Sequence, residues 1–244
     1  PSRSSTKTTP TLVLTAMPGH FAGSQKHRGG CLLNYAAIGA HYLTKKYQLK
    51  RVAILDLDAA HGCGTQEIFA KRRDVLTLSM HEYPAFPGTG HYSEVGEKPA
   101  QGFNVNIPMP SGYGDREWLN AFREFIAPIL KQYAPEFLIL SWGTNPLRGD
   151  ASYHLTMSEF GLVAMLQEVI TAARLSCKNR LLSILEGGTP GKLMARAVSQ
   201  HAMLLLKNRQ PPVDKGEKME LISYTDWYSY SKLLKNQFRK FWKL

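Results

Sequence analysis

Short apolar runs, each ending in a glycine- or carboxylate-bearing loop, alternate along this chain with stretches of helical periodicity. Few folds accept that pattern. Residues 12–16 precede Pro18-Gly19 and predict a buried strand ending in a turn. Residues 52–57, 75–80, 103–107, 137–141 and 181–185 predict further strands. Helices are expected over 31–48, 117–133, 157–175 and 191–206, where apolar residues recur at helical spacing. Strand–helix alternation with glycine loops after the strands predicts an open, mostly parallel α/β sheet with helices on both faces. Ligand sites in such sheets lie beyond the carboxyl ends of the strands, so the loops at 18–22, 56–66, 141–146 and 186–190 should meet in one crevice. No internal repeat is found.

The chain has 244 residues, 43% of them hydrophobic, enough for one packed domain. Lys and Arg number 30 against 19 Asp and Glu, a net charge of +11. That balance favours polyanionic partners, with a basic enzyme lacking any such partner as the plainer alternative. Cys31, Cys63 and Cys177 are dispersed and form no CxxC, which argues against a disulfide framework and for a reducing, intracellular compartment. No apolar run is read as long enough to span a bilayer, so no membrane insertion is expected. Residues 1–10 are polar and acid-free and read as a disordered tail, compatible with the remnant beside an organellar presequence. Residues 11–206 form the α/β domain and 207–225 a linker. Residues 226–244 form a basic amphipathic helix, with Trp227, Tyr230, Leu234, Phe238 and Phe241 on one stripe. Its cations Lys232, Lys235, Arg239, Lys240 and Lys243, with Trp227 and Phe238, are candidates for docking on a partner protein or RNA. Packing of this helix on its own domain is the alternative.

The densest chemistry lies in Asp56-Leu57-Asp58-Ala59-Ala60-His61-Gly62-Cys63-Gly64-Thr65-Gln66. Carboxylates alternate at strand spacing and glycines follow where the chain must turn. This stretch, with Pro18-Gly19-His20, Gly30-Cys31-Leu32-Leu33-Asn34, Tyr83-Pro84, Pro87-Gly88-Thr89-Gly90, Gly102-Phe103-Asn104-Val105-Asn106, Arg148-Gly149-Asp150 and Leu185-Glu186-Gly187-Gly188, resembles the histone deacetylase superfamily. The likeness is greatest to the class II and bacterial branch with its acetylpolyamine amidohydrolase relatives, and runs from about Leu12 to Leu206. It implies an arginase-like sheet, here without the family's N-terminal part, whose loss would leave a sheet edge for a partner to cover.

The family's reaction is zinc-assisted amide hydrolysis, which takes three protein ligands and an open position. By resemblance the ligand positions are Asp58, Ala60 and Asn145, and only the first keeps an anionic donor. The paired histidines of the family map to His20 and Phe21, the residue that orients the second of them to Cys63, and the carbonyl-polarising residue to Thr189. Phe cannot move a proton, and a threonine hydroxyl is short for an oxyanion. The resemblance therefore implies a degenerate, non-catalytic member with no zinc. It keeps a His20–Asp56 pair and a candidate structural potassium site at Asp56, Asp58 and Ser79. Trp142 is expected to fill the vacated pocket.

Three readings follow. The first is a structural subunit of a large assembly, a ribonucleoprotein such as a mitochondrial ribosome, touching protein subunits and rRNA, with no small-molecule substrate. The second is a ligand-binding or regulatory pseudoenzyme for an acylated lysine or a polyamine. The third is an enzyme with a remodelled metal site built from Asp58, His61 and Cys63.

Overall fold

The structure, a computed structural model, describes residues 9–189, 191–207 and 227–244. The tail read over 1–10 falls outside the described residues except for Thr9 and Pro10, and the linker read over 207–225 except for Lys207. Six strands form one sheet: β1 (Thr11–Leu14), β2 (Val52–Leu57), β3 (Val75–Glu82), β4 (Asn104–Met109), β5 (Phe137–Gly143) and β6 (Leu181–Gly187). Their order is β1-β6-β5-β2-β3-β4, and every pairing is parallel. β2, β3 and β4 are buried along their whole length, as a parallel sheet covered on both faces requires.

The alternation along β2 shows how the faces divide. Val52 and Ile54 point to a small cluster with Ala36, Ala37 and Ala40 of α1 (Tyr35–Lys46) and Phe69 of α2 (Cys63–Phe69). Ala53, Leu55 and Leu57 point to the main core. There they meet α3 (Asp115–Ala121), α4 (Ala127–Tyr133), α5 (Glu159–Cys177), α6 (Lys192–Lys207) and α7 (Trp227–Phe238). A π-helical stretch, Phe122–Ile126, joins α3 to α4, so the single helix expected over 117–133 is interrupted.

Four expectations are corrected. β1 is not buried: Val13 is 37% and Leu14 58% exposed, because β1 pairs only with β6 at the sheet edge. α1 starts later than the pattern suggested, at a cap where the Asn34 side chain accepts the Ala37 N–H at 2.9 Å. α5, with 19 residues, is long and apolar enough by length and composition to cross a membrane. In this fold it is a core helix packed on β5, β6, α3, α4 and α6.

The fourth correction concerns the C-terminal stripe, which serves its own domain. Trp227, Leu234 and Phe238 are buried in the main core. Trp227 Nε1 donates to Glu124 Oε1 at 2.8 Å, Tyr230 Oη to the Pro108 carbonyl at 2.5 Å, and Trp242 Nε1 to the Gly102 carbonyl at 3.0 Å. Trp227 and Phe238 are thus withdrawn from docking, and Lys235 is paired with Glu124 at 2.6 Å. Lys232, Arg239, Lys240 and Lys243 are exposed, with Lys240 Nζ donating to Gln237 and Arg239 Nε to the Leu244 carbonyl. The helix also ends at Phe238, short of residue 244.

Two stability predictions follow from this packing. Phe238→Ala should cost about 3–5 kcal/mol in chemical denaturation, the range for truncating a buried aromatic, whereas Lys232→Ala should stay within about 0.5 kcal/mol. The reverse order would mean that α7 is not integral to the core. His201 is fully buried between Ser183, whose Oγ lies 2.8 Å from Nε2, and the Trp142 ring. Burial lowers its pKa from 6.5 to about 4. The unfolded chain therefore takes the proton first, so this contribution is present above pH 6.5 and is lost as pH falls through 4. Its size is about 3 kcal/mol, and His201→Leu should flatten the acid limb of stability against pH by that amount.

Candidate functional site

β2 and β5 are neighbours at the point where the chain reverses its progress across the sheet: β3 and β4 lie to one side, β6 and β1 to the other. Loops leaving the carboxyl ends of two such strands diverge and open a crevice between them. The loops singled out from sequence do meet here. Glu186, at the end of β6, accepts the backbone N–H groups of Gly19 and His20 at 2.7 and 3.1 Å through Oε2, and the Ser141 hydroxyl at 2.7 Å through Oε1. Asp56 Oδ2 lies 2.8 Å from His20 Nδ1, while Oδ1 accepts the Asp58 N–H at 3.1 Å. The expected His20–Asp56 pair is therefore formed.

Electrostatics follow from this burial. Desolvation alone would lower His20, but Asp56, with Glu186 and Asp58 behind it, overrides that and holds the ring up to about 10. The pairing therefore favours the protonated ring. Burial pushes Asp56 upward against the pull of the His20 ring. Burial also pushes Asp58 up to about 7, with His20 opposing and the Asp56 and Glu186 charges adding to the rise.

The crevice is a cavity of about 350 Å³ whose lining includes His20, Phe21, Asp58, Phe86, Asn145 and Tyr153. Ala60 also lines it and is clustered with Phe21, Ala22 and Cys31, with Cys63 and Tyr153 packed against them. The Phe21 and Phe86 rings meet edge to face, 5.3 Å apart at 85°. Asp58 Oδ1 accepts the Ala60 N–H at 2.9 Å. Asp58 Oδ2 and Asn145 Oδ1 both reach over Gly143: a Cβ there would stand 2.0 Å from the first and 2.7 Å from the second. Asn145 Oδ1 is buried without a hydrogen-bond partner.

Other candidates lie elsewhere. Trp142 points into the main core against His201, so it does not plug the cavity. Thr189 is exposed and donates to Asp150 Oδ2 at 2.7 Å. Asp58, His61 and Cys63 do not converge. His61 Nδ1 lies 2.7 Å from Thr89 Oγ1, and its ring packs against His81 at a tilt of 45°, with centroids 4.6 Å apart. Cys63 is half-buried with its pKa raised, chiefly by burial and against the pull of Arg28. Among the described residues no three His, Cys, Asp or Glu side chains are grouped to hold a metal. Of the candidate potassium residues, Ser79 Oγ is engaged with His81 Nδ1 at 2.9 Å, and Asp56 with His20. Sequence reasoning missed Phe86, Tyr153 and Gly143. Phe86 sits inside a flagged proline-rich loop, and Tyr153 carried no signal.

This chain belongs to the histone deacetylase domain family, whose model matches residues 4–205. It is 39% identical over 171 residues to a probable deacetylase of Archaeoglobus fulgidus, covering 70% of this chain and 47% of that protein. It is 35% identical over 200 residues to histone deacetylase 15 of Arabidopsis thaliana, covering 80% and 35%. The crystal structure of the HDA15 HD domain superposes with a TM-score of 0.82 at 30% identity, over 96% of this chain and 63% of that one. The chain thus spans about half or less of the length of these curated relatives.

These findings correct two expectations. Relatives named deacetylases overturn the reading as a structural subunit of a ribonucleoprotein or mitochondrial ribosome, with RNA binding as its role. The expectation of a chain without a metal cofactor is overturned as well, because this is the zinc-dependent deacetylase family. Zinc is therefore the metal against which the crevice is tested. Its residues do not fit a hydrolytic zinc centre: the cradle over Gly143 offers one carboxylate oxygen and one amide oxygen, and Ala60, where the resemblance puts a further ligand, has no donor atom in its side chain.

Gly143→Ala should force its new methyl into both oxygens of the cradle and cost about 1–3 kcal/mol. Gly187→Ala, with nothing within 4 Å of its would-be Cβ, should be near neutral. Equal effects in parallel urea titrations would show that the cradle is not closely packed.

Proposed function

We propose that this chain is a deacetylase-family domain that keeps the family's crevice as a ligand pocket but does not hydrolyse amides. The observation that carries the reading is that Phe21 and Ala60 line the cavity and pack in one apolar cluster with Ala22 and Cys31. Amide hydrolysis takes a base to deprotonate water and a donor or charge to stabilise the oxyanion. Among the described residues His20 is the one histidine lining the cavity, and its pairing with Asp56 favours the protonated ring, which opposes a role as base. Phe21, at the neighbouring position, has no proton to give or take. Thr189 spends its hydroxyl on Asp150, outside the cavity. Each loss removes a separate contribution to rate, and such contributions are orders of magnitude apiece.

Support for a retained pocket is equally direct. Trp142 leaves the crevice free, and Glu186 and Asp56 still hold the loop at Gly19 and His20 in place. The test is an acetyl-lysine peptide assay with the purified chain in zinc-supplemented buffer. Release of acetate at the blank rate is expected. Turnover on the order of 1 per second, as ordinary enzymes show, and its loss in Asp58→Asn would overturn the reading.

A further inference from the structure

The outer face of α1 differs from the face it buries. Ala36 and Ala40 pack against Val52 and Ile54 of the sheet. Ile38 and Tyr42, by contrast, are 53% and 50% exposed, and Leu32 and Leu33, just before the Asn34 cap, are 65% and 56% exposed. With Ile68 of α2 these side chains line one open groove of about 780 Å³. Apolar side chains scattered singly on a surface need no explanation, but a contiguous groove of them does. The groove is held in shape from below. Asn34 caps α1 through Oδ1, and its Nδ2 donates to the Ala22 carbonyl and to Thr65 Oγ1 at 3.0 Å each. A site fixed in this way has little left to order when it is filled.

The charge on the groove has one sign. Its lining includes Lys45 and Lys46 in the last turn of α1 and His41 one turn before them, and, among the described residues, no carboxylate. Glu67, beside Ile68 in the chain, is held by Arg28 at 2.8 Å, and Asp74, which feels the Lys45 charge, is held by Arg72 at 2.6 Å. Lys46 Nζ lies over the Tyr42 ring, 5.8 Å from its centroid, so cation and apolar floor meet in one place. A second copy of this chain is a poor occupant, because each copy carries a net charge of +11 and the two would repel. Residues 1–8, with Arg3 and Lys7 and no acid, are unsuited for the same reason. A nucleic acid brings anions without the apolar side chains that the floor would bury. We propose that this groove docks an acidic amphipathic helix of a partner protein. Its apolar residues at i, i+3, i+4 and i+7 would lie on Leu32, Leu33, Ile38 and Tyr42, and its carboxylates on Lys45 and Lys46. None of these residues lines the crevice, so the docking face goes beyond the reading of that pocket.

Fluorescence anisotropy on the full chain tests the assignment with two labelled peptides of about 18 residues, both with leucine at i, i+3, i+4 and i+7. One carries glutamate and glutamine at the other positions, its twin lysine and glutamine. The glutamate peptide is expected to bind tenfold or more tightly than the lysine peptide, and to weaken as salt rises. Ile38→Asp, at an exposed position, should weaken it tenfold or more with the melting temperature unchanged. Lys45→Glu combined with Lys46→Glu should reverse the preference in favour of the lysine peptide, a gain that misfolding does not produce. Sedimentation velocity of the chain alone should show no association that Ile38→Asp disperses. Equal binding of the two peptides, no binding of either, or an unreversed preference in the double variant would overturn the docking assignment. Self-association dispersed by Ile38→Asp would overturn it too, and would give the face to a second copy.

Discussion

Three carboxylates at the ends of parallel strands hold this crevice together. Glu186, on β6, reaches the backbone of Gly19 and His20 and the hydroxyl of Ser141 on β5. Asp56, on β2, holds the His20 ring. Asp58 turns back to the Ala60 N–H and so fixes the first turn beyond the strand. The loop carrying His20 and Phe21 has little regular structure of its own, and its position is set by these contacts. Breaking one partner of a buried pair strands the other without water, which costs several kcal/mol. The network therefore gives each of these carboxylates a part in holding the loop.

His20 also shows why burial and function separate here. A histidine with its pKa near neutrality serves as a base; one clamped by Asp56 and held up to about 10 serves as a cation. Its charge offsets part of the negative charge of Asp56, Asp58 and Glu186. That offset reaches the cradle over Gly143 through Asp58. There Asp58 faces Asn145, and an amide brings no charge to balance a carboxylate.

The strands were legible in the sequence because a buried parallel strand is an uninterrupted apolar run: β2 and β5 begin where the pattern puts them. The convergence of the loops was legible too, since strand ends and glycines mark it. α2 was not. Its first residues, Cys63 and Gly64, read as loop, yet Gly64 is glycine for contact: a Cβ there would stand 2.3 Å from the Ala22 carbonyl oxygen. The stripe on α7 was visible as amphipathicity, but a helical wheel does not say which surface receives it. The receiving residues, Glu124, Pro108 and Gly102, are more than a hundred residues away in the chain. Trp142 illustrates the same limit from within one strand. Alternation along β5 assigns it to a face, and its partner His201 on α6 decides that the face is the core.

Positions 21 and 60 are best understood as one change. A histidine at either would bring ring nitrogens needing partners into a pocket where Cys31 and Ala22 offer little polarity. Phe at 21 fills space and needs no partner; its ring would meet a Cβ placed on Gly29 at 2.4 Å. Ala at 60 is small enough to lie in the same cluster. A large residue and a small one in contact conserve volume between them, the kind of exchange cores accept at least cost. Restoring a histidine at 60 alone would crowd a packed apolar cluster. Restoring one at 21 alone would bring ring nitrogens against the Phe86 ring. A histidine at either position thus calls for change at the other, whereas the present pair is self-consistent as part of the apolar wall of the crevice.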